Sequence, residues 1–193
     1  LATYTDFVAP ADLVLISKQF GKELERLRAK FEPAWEYETD EGNLNVMRYL
    51  NNDEFDICFD TWQEGKSDVT AIEAVILLDK SGSMSGVNAD EAYKSMWAIK
   101  SALQNVNART SVVLFDNRSY LLYSADEKAG VTIRDGGASG GTDPKDSLLY
   151  AKKLLAETSK PIKLLFMITD GAWNTNEGEQ AVQEMRNAGV VTC

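Results

Sequence analysis

Residues 72–86 read IEAVILLDKSGSMSG, an apolar run that stops on an aspartate and gives way to small hydroxyl residues. Ala74, Val75, Ile76, Leu77 and Leu78 are the aliphatic and β-branched run expected of a strand covered on both faces, which means a parallel sheet between helix layers. Asp79, Ser81 and Ser83 then fall at every second position of a turn loosened by Gly82. One carboxylate and two hydroxyls can therefore face a single point beyond the strand's carboxyl end. Two further oxygen donors follow where an open α/β sheet would return them to that edge: Thr142, in the loop GGASGGTDP, and Asp170, at the end of the apolar run Ile162 to Thr169. Hard oxygen ligands of this kind suit Mg²⁺ or Mn²⁺ rather than zinc or copper.

Asp79-x-Ser81-x-Ser83, the later Thr142 and the later Asp170-Gly171 together resemble the metal-ion-dependent adhesion site of von Willebrand factor type A domains. An isolated D-x-S-x-S is weak evidence, because Asp and Ser also crowd turns for local hydrogen-bonding reasons. The weight lies in the context, with a strand before each Asp, a Gly-rich loop before the Thr and a helix start after it. The resemblance implies an α/β, doubly wound, mostly parallel and Rossmann-like sheet. It also implies that Ser81 and Ser83 bind the ion directly, that Asp79 and either Thr142 or Asp170 bind directly or through water, and that a partner protein's Glu or Asp completes the octahedron. Two carboxylates balance one divalent cation, so the set is neutral before the partner arrives.

The chain has no histidine, which removes Ser-His-Asp and Cys-His catalysis and all imidazole ligation in one step. Its two cysteines, Cys58 and Cys193, make neither a disulfide framework nor a zinc cluster, so a reducing, cytoplasmic setting is expected. A net charge of −10 argues against nucleic acid as a partner. No apolar run approaches the ~20 residues that span a bilayer, so no membrane association is expected.

Residues 1–70 are expected to form an N-terminal extension and 71–193 the main domain, with GKSD at 65–68 as linker. In the extension, Leu13, Ile16, Phe20, Leu24, Leu27 and Phe31 draw a stripe along one face of a helix from Ala11 to Phe31, between Pro10 and Pro33. Lys18, Lys22, Arg26, Arg28 and Lys30 on its other face read as a solvated surface. Trp35 and Tyr37 alternate with glutamates in a short strand, Met47, Tyr49 and Leu50 lead into a polar turn, and Phe55, Ile57 and Phe59 alternate in a second short strand. Trp35, Glu36, Glu41, Gly42 and Leu44, at this distance before Asp79, resemble the von Willebrand A-bearing subunit of cobaltochelatases (CobT-like). That resemblance implies a hexameric AAA+ ATPase of the MoxR type as partner.

Beyond the metal loop, Ala92, Met96, Ile99 and Leu103 recur at helical spacing, and Met96 and Trp97 read as core. Ser111–Phe115 and Tyr120–Tyr123 read as a hairpin at the sheet edge. DGGASGGTD lacks the lysine of a phosphate cradle, and its glycines instead let the backbone bring Thr142 near the metal. Pro144 opens a helix that Asp143 can cap, Lys163–Thr169 is a fourth strand, Glu177–Ala188 a helix, and Val190–Cys193 begins another strand. A domain of this family would continue with further helix and strand, so the chain is expected to lack its C-terminal end.

The expected function is therefore that of a Mg²⁺-dependent (or Mn²⁺-dependent) protein-binding module. Two alternatives are an RNA-protein scaffold of the Ro type, which the acidic balance disfavours, and a metal-dependent hydrolase or phosphotransferase. Against the latter, Asp79 is not followed by the second Asp of phosphoaspartate enzymes and no Ser-x-x-Lys occurs.

Overall fold

The computed structural model describes residues 4–29, 34–51, 57–63, 71–171 and 176–193. At its centre is β5 (Ile72–Asp79), which pairs in parallel with β6 (Arg109–Phe115) on one side and β9 (Ile162–Ile168) on the other. β10 (Val191–Thr192) continues the parallel sheet beyond β9, and β7 (Ser119–Tyr123) closes the other edge as the antiparallel arm of a hairpin with β6. The order is β10-β9-β5-β6-β7, mostly parallel as the sequence predicts.

Both faces of β5 are covered, and alternate residues go to opposite layers. Ile76 and Leu78 join Met96 and Trp97 of α3 (Val87–Asn105) in one core. Val75 and Leu77 join Leu148, Ala151 and Leu155 of α4 (Lys145–Glu157) and Ala181 and Met185 of α5 (Asn176–Asn187) in the other. All five residues from Ala74 to Leu78 are fully buried. This is a doubly wound α/β sheet.

The chain opens with β1 (Thr5–Val8), which pairs antiparallel with β8 (Thr132–Asp135), and with α1 (Ala11–Ala29), which packs on α3. The helix starts at Ala11 as predicted, and its predicted end at Phe31 lies outside the described residues, but its docking side differs from the prediction. Leu13, Val14 and Leu24 face the core, whereas Ile16 and Phe20 of the predicted stripe are 55% and 41% exposed. The reason is close approach: a Cβ on Gly21 would stand 2.5 Å from Asn105 Nδ2, so the helix docks along the small residues Ser17 and Gly21.

A separate three-stranded sheet follows, in the order β2-β4-β3, from β2 (Ala34–Thr39), β3 (Asn43–Leu44) and β4 (Phe59–Gln63). Its second long strand starts at Phe59, later than the alternation from Phe55 suggests; Phe55 and the 65–68 linker lie outside the described residues. Met47, Tyr49 and Leu50 form a short helix, α2 (Val46–Leu50), because the Asn45 side chain accepts from Arg48 N–H and caps it. Trp35 packs edge-on against Trp62 across the strand pair. Among the described residues no helix is long and apolar enough to cross a membrane.

Candidate metal centre

The chain runs from β5 outward to β6 on one side and later returns to β9 on the other, so the order reverses between β5 and β9. In open α/β sheets the crevice at the carboxyl ends of such neighbours is where ligands bind. Asp79 ends β5 there, and Thr169 and Asp170 follow β9. Asp79 is only 1% exposed, so its charge must be met by donors. Ser81 N–H donates to its Oδ1 at 2.8 Å, and the Thr169 hydroxyl donates to its Oδ2 at 2.7 Å. A one-turn 3₁₀ helix at Gly82–Met84 curls the chain back, which brings Ser81 Oγ and Ser83 Oγ to 3.0 Å of each other. Ser81 is buried and Ser83 is exposed, so the pair spans from the sheet edge to solvent.

Thr142 arrives on the loop after β8, which is anchored along its length. Asp135 Oδ1 accepts from Gly137 N–H, and the Tyr93 hydroxyl of α3 donates to Gly137 O at 3.0 Å. Burial, together with the nearby Asp135 charge, pushes the Tyr93 phenol up, so it remains a protonated donor. Ser139 N–H donates to Lys80 O, Gly82 N–H to Gly140 O at 3.0 Å, and Asp143 N–H to Asp116 O at 2.8 Å. Gly140 has φ +86° and a Cβ there would stand 3.1 Å from Asp116 Cβ, so the bend needs glycine. Asp143 accepts from Lys145 N–H at the start of α4, the capping role the sequence predicts.

The hydrogen bonds therefore join Asp79, Ser81 and Ser83 directly. They bring Thr142 and Asp170 to the same edge through their neighbours Gly140 and Thr169. Asp170 also lines a groove of about 360 Å³ that opens beside the site against Met84, Asn88 and Glu91 of the turn and α3. A larger groove of about 450 Å³, between β9, α5 and β10, is mostly apolar and touches the site only at Thr169.

Two contributors escape the motif. Thr169 reads in the sequence as the end of an apolar strand, yet its hydroxyl orients Asp79; its position just before Asp170 is the only signal. Lys80, between two candidate ligands in the sequence, lies with 11% of its side chain exposed and is paired to Asp116.

The donor set suits a hard divalent cation. Among the described residues no group of three or more His, Cys, Asp or Glu side chains is placed to hold a metal, so a carboxylate cage or thiolate site is not the pattern here. Carboxylate plus hydroxyl is, and Ser81 Oγ and Ser83 Oγ, hydrogen-bonded at 3.0 Å, stand close enough to meet at one ion.

A family model for the von Willebrand factor type A domain matches residues 73–193. No curated protein sequence matches the chain. Among solved structures, an aerotolerance-related membrane protein of Bacteroides fragilis superposes with a TM-score of 0.50 at 14% identity over 63% of this chain. The protein BatB of Bacteroides thetaiotaomicron does so with a TM-score of 0.50 at 15% identity over 63%. This chain spans 65% and 64% of those two, so the likeness concerns the fold. Proximal thread matrix protein 1 of the mussel byssus, described with zinc in its metal-ion-dependent adhesion site, is 22% identical with a TM-score of 0.49, over 65% of this chain and 35% of its own. The family match covers the strand that ends in Asp79 and everything after it, and the chain belongs to the von Willebrand factor type A domain family.

Proposed function

We propose that this chain is a Mg²⁺- or Mn²⁺-dependent protein-binding module whose ion is held by Asp79, Ser81, Ser83, Thr142 and Asp170. Domains of this family bind a divalent metal at the adhesion site and serve as metal-dependent interaction modules. One observation carries the assignment here: a buried carboxylate at the switch point of the sheet, with two hydroxyl oxygens gathered beside it, 3.0 Å from each other. When bound, the ion supplies positive charge and an exchangeable ligand position. The chain's own residues do the rest: Asp79 and Asp170 supply the compensating charge, and the hydroxyls hold the position open.

Recognition follows from that charge balance. Without the ion, Asp79 and Asp170 repel an incoming acid; with it, they are neutralised and a partner's Glu or Asp can coordinate. The partner proposed is an AAA+ ATPase of the MoxR type, supported by the likeness of Trp35, Glu36, Glu41, Gly42 and Leu44 to the cobaltochelatase subunit; any turnover then belongs to the complex. The test is to immobilise the chain and challenge it with lysate of its source, in Mg²⁺ or in chelator, and to identify what is retained. An AAA+ ATPase held by wild type in Mg²⁺, and lost both in chelator and from Asp79→Ala, is the expected result. Retention indifferent to both would contradict the proposal.

A further inference from the structure

We infer that Lys80 is a positioning residue for this centre: its ion pair with Asp116 ties the Asp79–Ser83 turn to the β6–β7 turn, from which one end of the Thr142 loop hangs, and so sets how Thr142 meets the ion. The inference rests on the metal-binding reading above. Lys80 Nζ lies 3.1 Å from Asp116 Oδ2 and 3.3 Å from Ser139 Oγ, and 4.9 Å from the centre of the Tyr120 ring. The two charged side chains are 11% and 9% exposed, so water screens the pair little.

What the pair connects gives it its role. Thr142 is bracketed by two backbone anchors. On one side Gly140 O accepts from Gly82 N–H, and Ser139 N–H donates to Lys80 O, so this end hangs on the metal turn itself. On the other side Asp143 N–H donates to Asp116 O, so that end hangs on the β6–β7 turn. Asp116 is fixed in that turn by Arg118 N–H, which donates to its Oδ1 at 2.8 Å. The Lys80–Asp116 bridge is the side-chain tie between the two anchors, supported by the Lys80 N–H bond to Phe115 O at 2.9 Å. Glycines let the loop lie flat across it: a Cβ on Gly141 would stand 2.5 Å from Asn117 Oδ1. Loss of the tie leaves the Lys80 N–H bond to Phe115 O as the link between the two turns and loosens the anchors, and Thr142 with them.

Mn²⁺ affinity, read by electron paramagnetic resonance of the free ion, tests this on wild type, Lys80→Met, Lys80→Arg, Thr142→Ala and the Lys80→Met/Thr142→Ala double variant. The neutral pair Lys80→Met/Asp116→Asn avoids a buried unpaired carboxylate and keeps the test open should Lys80→Met alone fold poorly. Losing the tie should weaken Mn²⁺ about tenfold, the low end for residues that orient metal ligands. Thr142→Ala should cost about the same, and the double variant should bind no worse than either single one, because both changes remove the same contact. Lys80→Arg should keep most of the affinity, and amide exchange of residues 139–143 should quicken in Lys80→Met. Wild-type affinity in both tie-breaking variants, or losses that multiply in the double variant, would overturn the inference while leaving the metal site standing. A wild type that binds no Mn²⁺ would overturn both.

Discussion

Asp79 is 1% exposed, and the Ser81 amide and the Thr169 hydroxyl are the donors that meet its carboxylate. A hydrogen bond to a charged group contributes about 1.5–3 kcal/mol, and Thr169→Val deletes this one without changing shape. The variant should fold, and should bind Mn²⁺ about ten- to hundredfold more weakly by calorimetric titration, the usual cost of losing an orienting partner; wild-type affinity would show that Asp79 needs no such support. A second buried charge lies far from the site. Lys100 on α3 is fully buried, donating from Nζ to Thr110 O at 2.6 Å and facing the Tyr123 ring. Burial pushes its pKa down to about 8, against the pull of Glu127 and Asp126 and with the push of Arg134. Below about pH 8 the folded and unfolded chains both carry that proton; between there and about 10.5, its ordinary value, only the unfolded chain does. The burial cost is thus fully present below pH 8 and is relieved as pH rises. Urea unfolding at pH 7.5, 9 and 10 should show the stability of wild type rising relative to Lys100→Met. The phenols of Tyr93 and Tyr123 are pushed up, so their opposing effect begins only around and above pH 10.

β5 makes the doubly wound arrangement testable, because Ile76 and Leu77 face different cores. Ile76→Ala and Leu77→Ala should each cost about 2–5 kcal/mol by chemical denaturation. A sheet with one wet face would spare one of them. This strand was legible in the sequence because a run from Ala74 to Leu78 with no polar break is what two covered faces demand. The β6–β7 hairpin was legible for equally local reasons, from the runs Ser111–Phe115 and Tyr120–Tyr123 set a few residues apart. α1 shows the opposite case: Ile16 and Phe20 satisfy helical spacing as well as Leu13 and Leu24 do, and only the close approach at Gly21 to Asn105 selects the docking side. β1 and β8 pair across more than a hundred residues, and neither alternates clearly enough to announce it. Separation in sequence likewise hides the Lys80–Asp116 bridge, whose partners are 36 residues apart, and the Thr169 bond to Asp79, across 90. Local pattern reports which residues can ligate; long-range pairing decides which residues hold them in place.

Taken together, the sheet gathers Asp79, Ser81 and Ser83 at its reversal point and borrows Thr142 and Asp170 from segments that reach the same edge only in the folded state. An ion that needs this set therefore binds the folded chain alone and stabilises it by linkage, by about 2.7 kcal/mol at a hundred times its dissociation constant. Thermal unfolding of wild type and Asp79→Ala, with Mg²⁺ or Ca²⁺ at matched concentrations, measures this directly. The account predicts a Mg²⁺-dependent rise in Tm for wild type, a smaller rise with Ca²⁺ and none for Asp79→Ala; an equal rise in both proteins, or none in wild type, would contradict it.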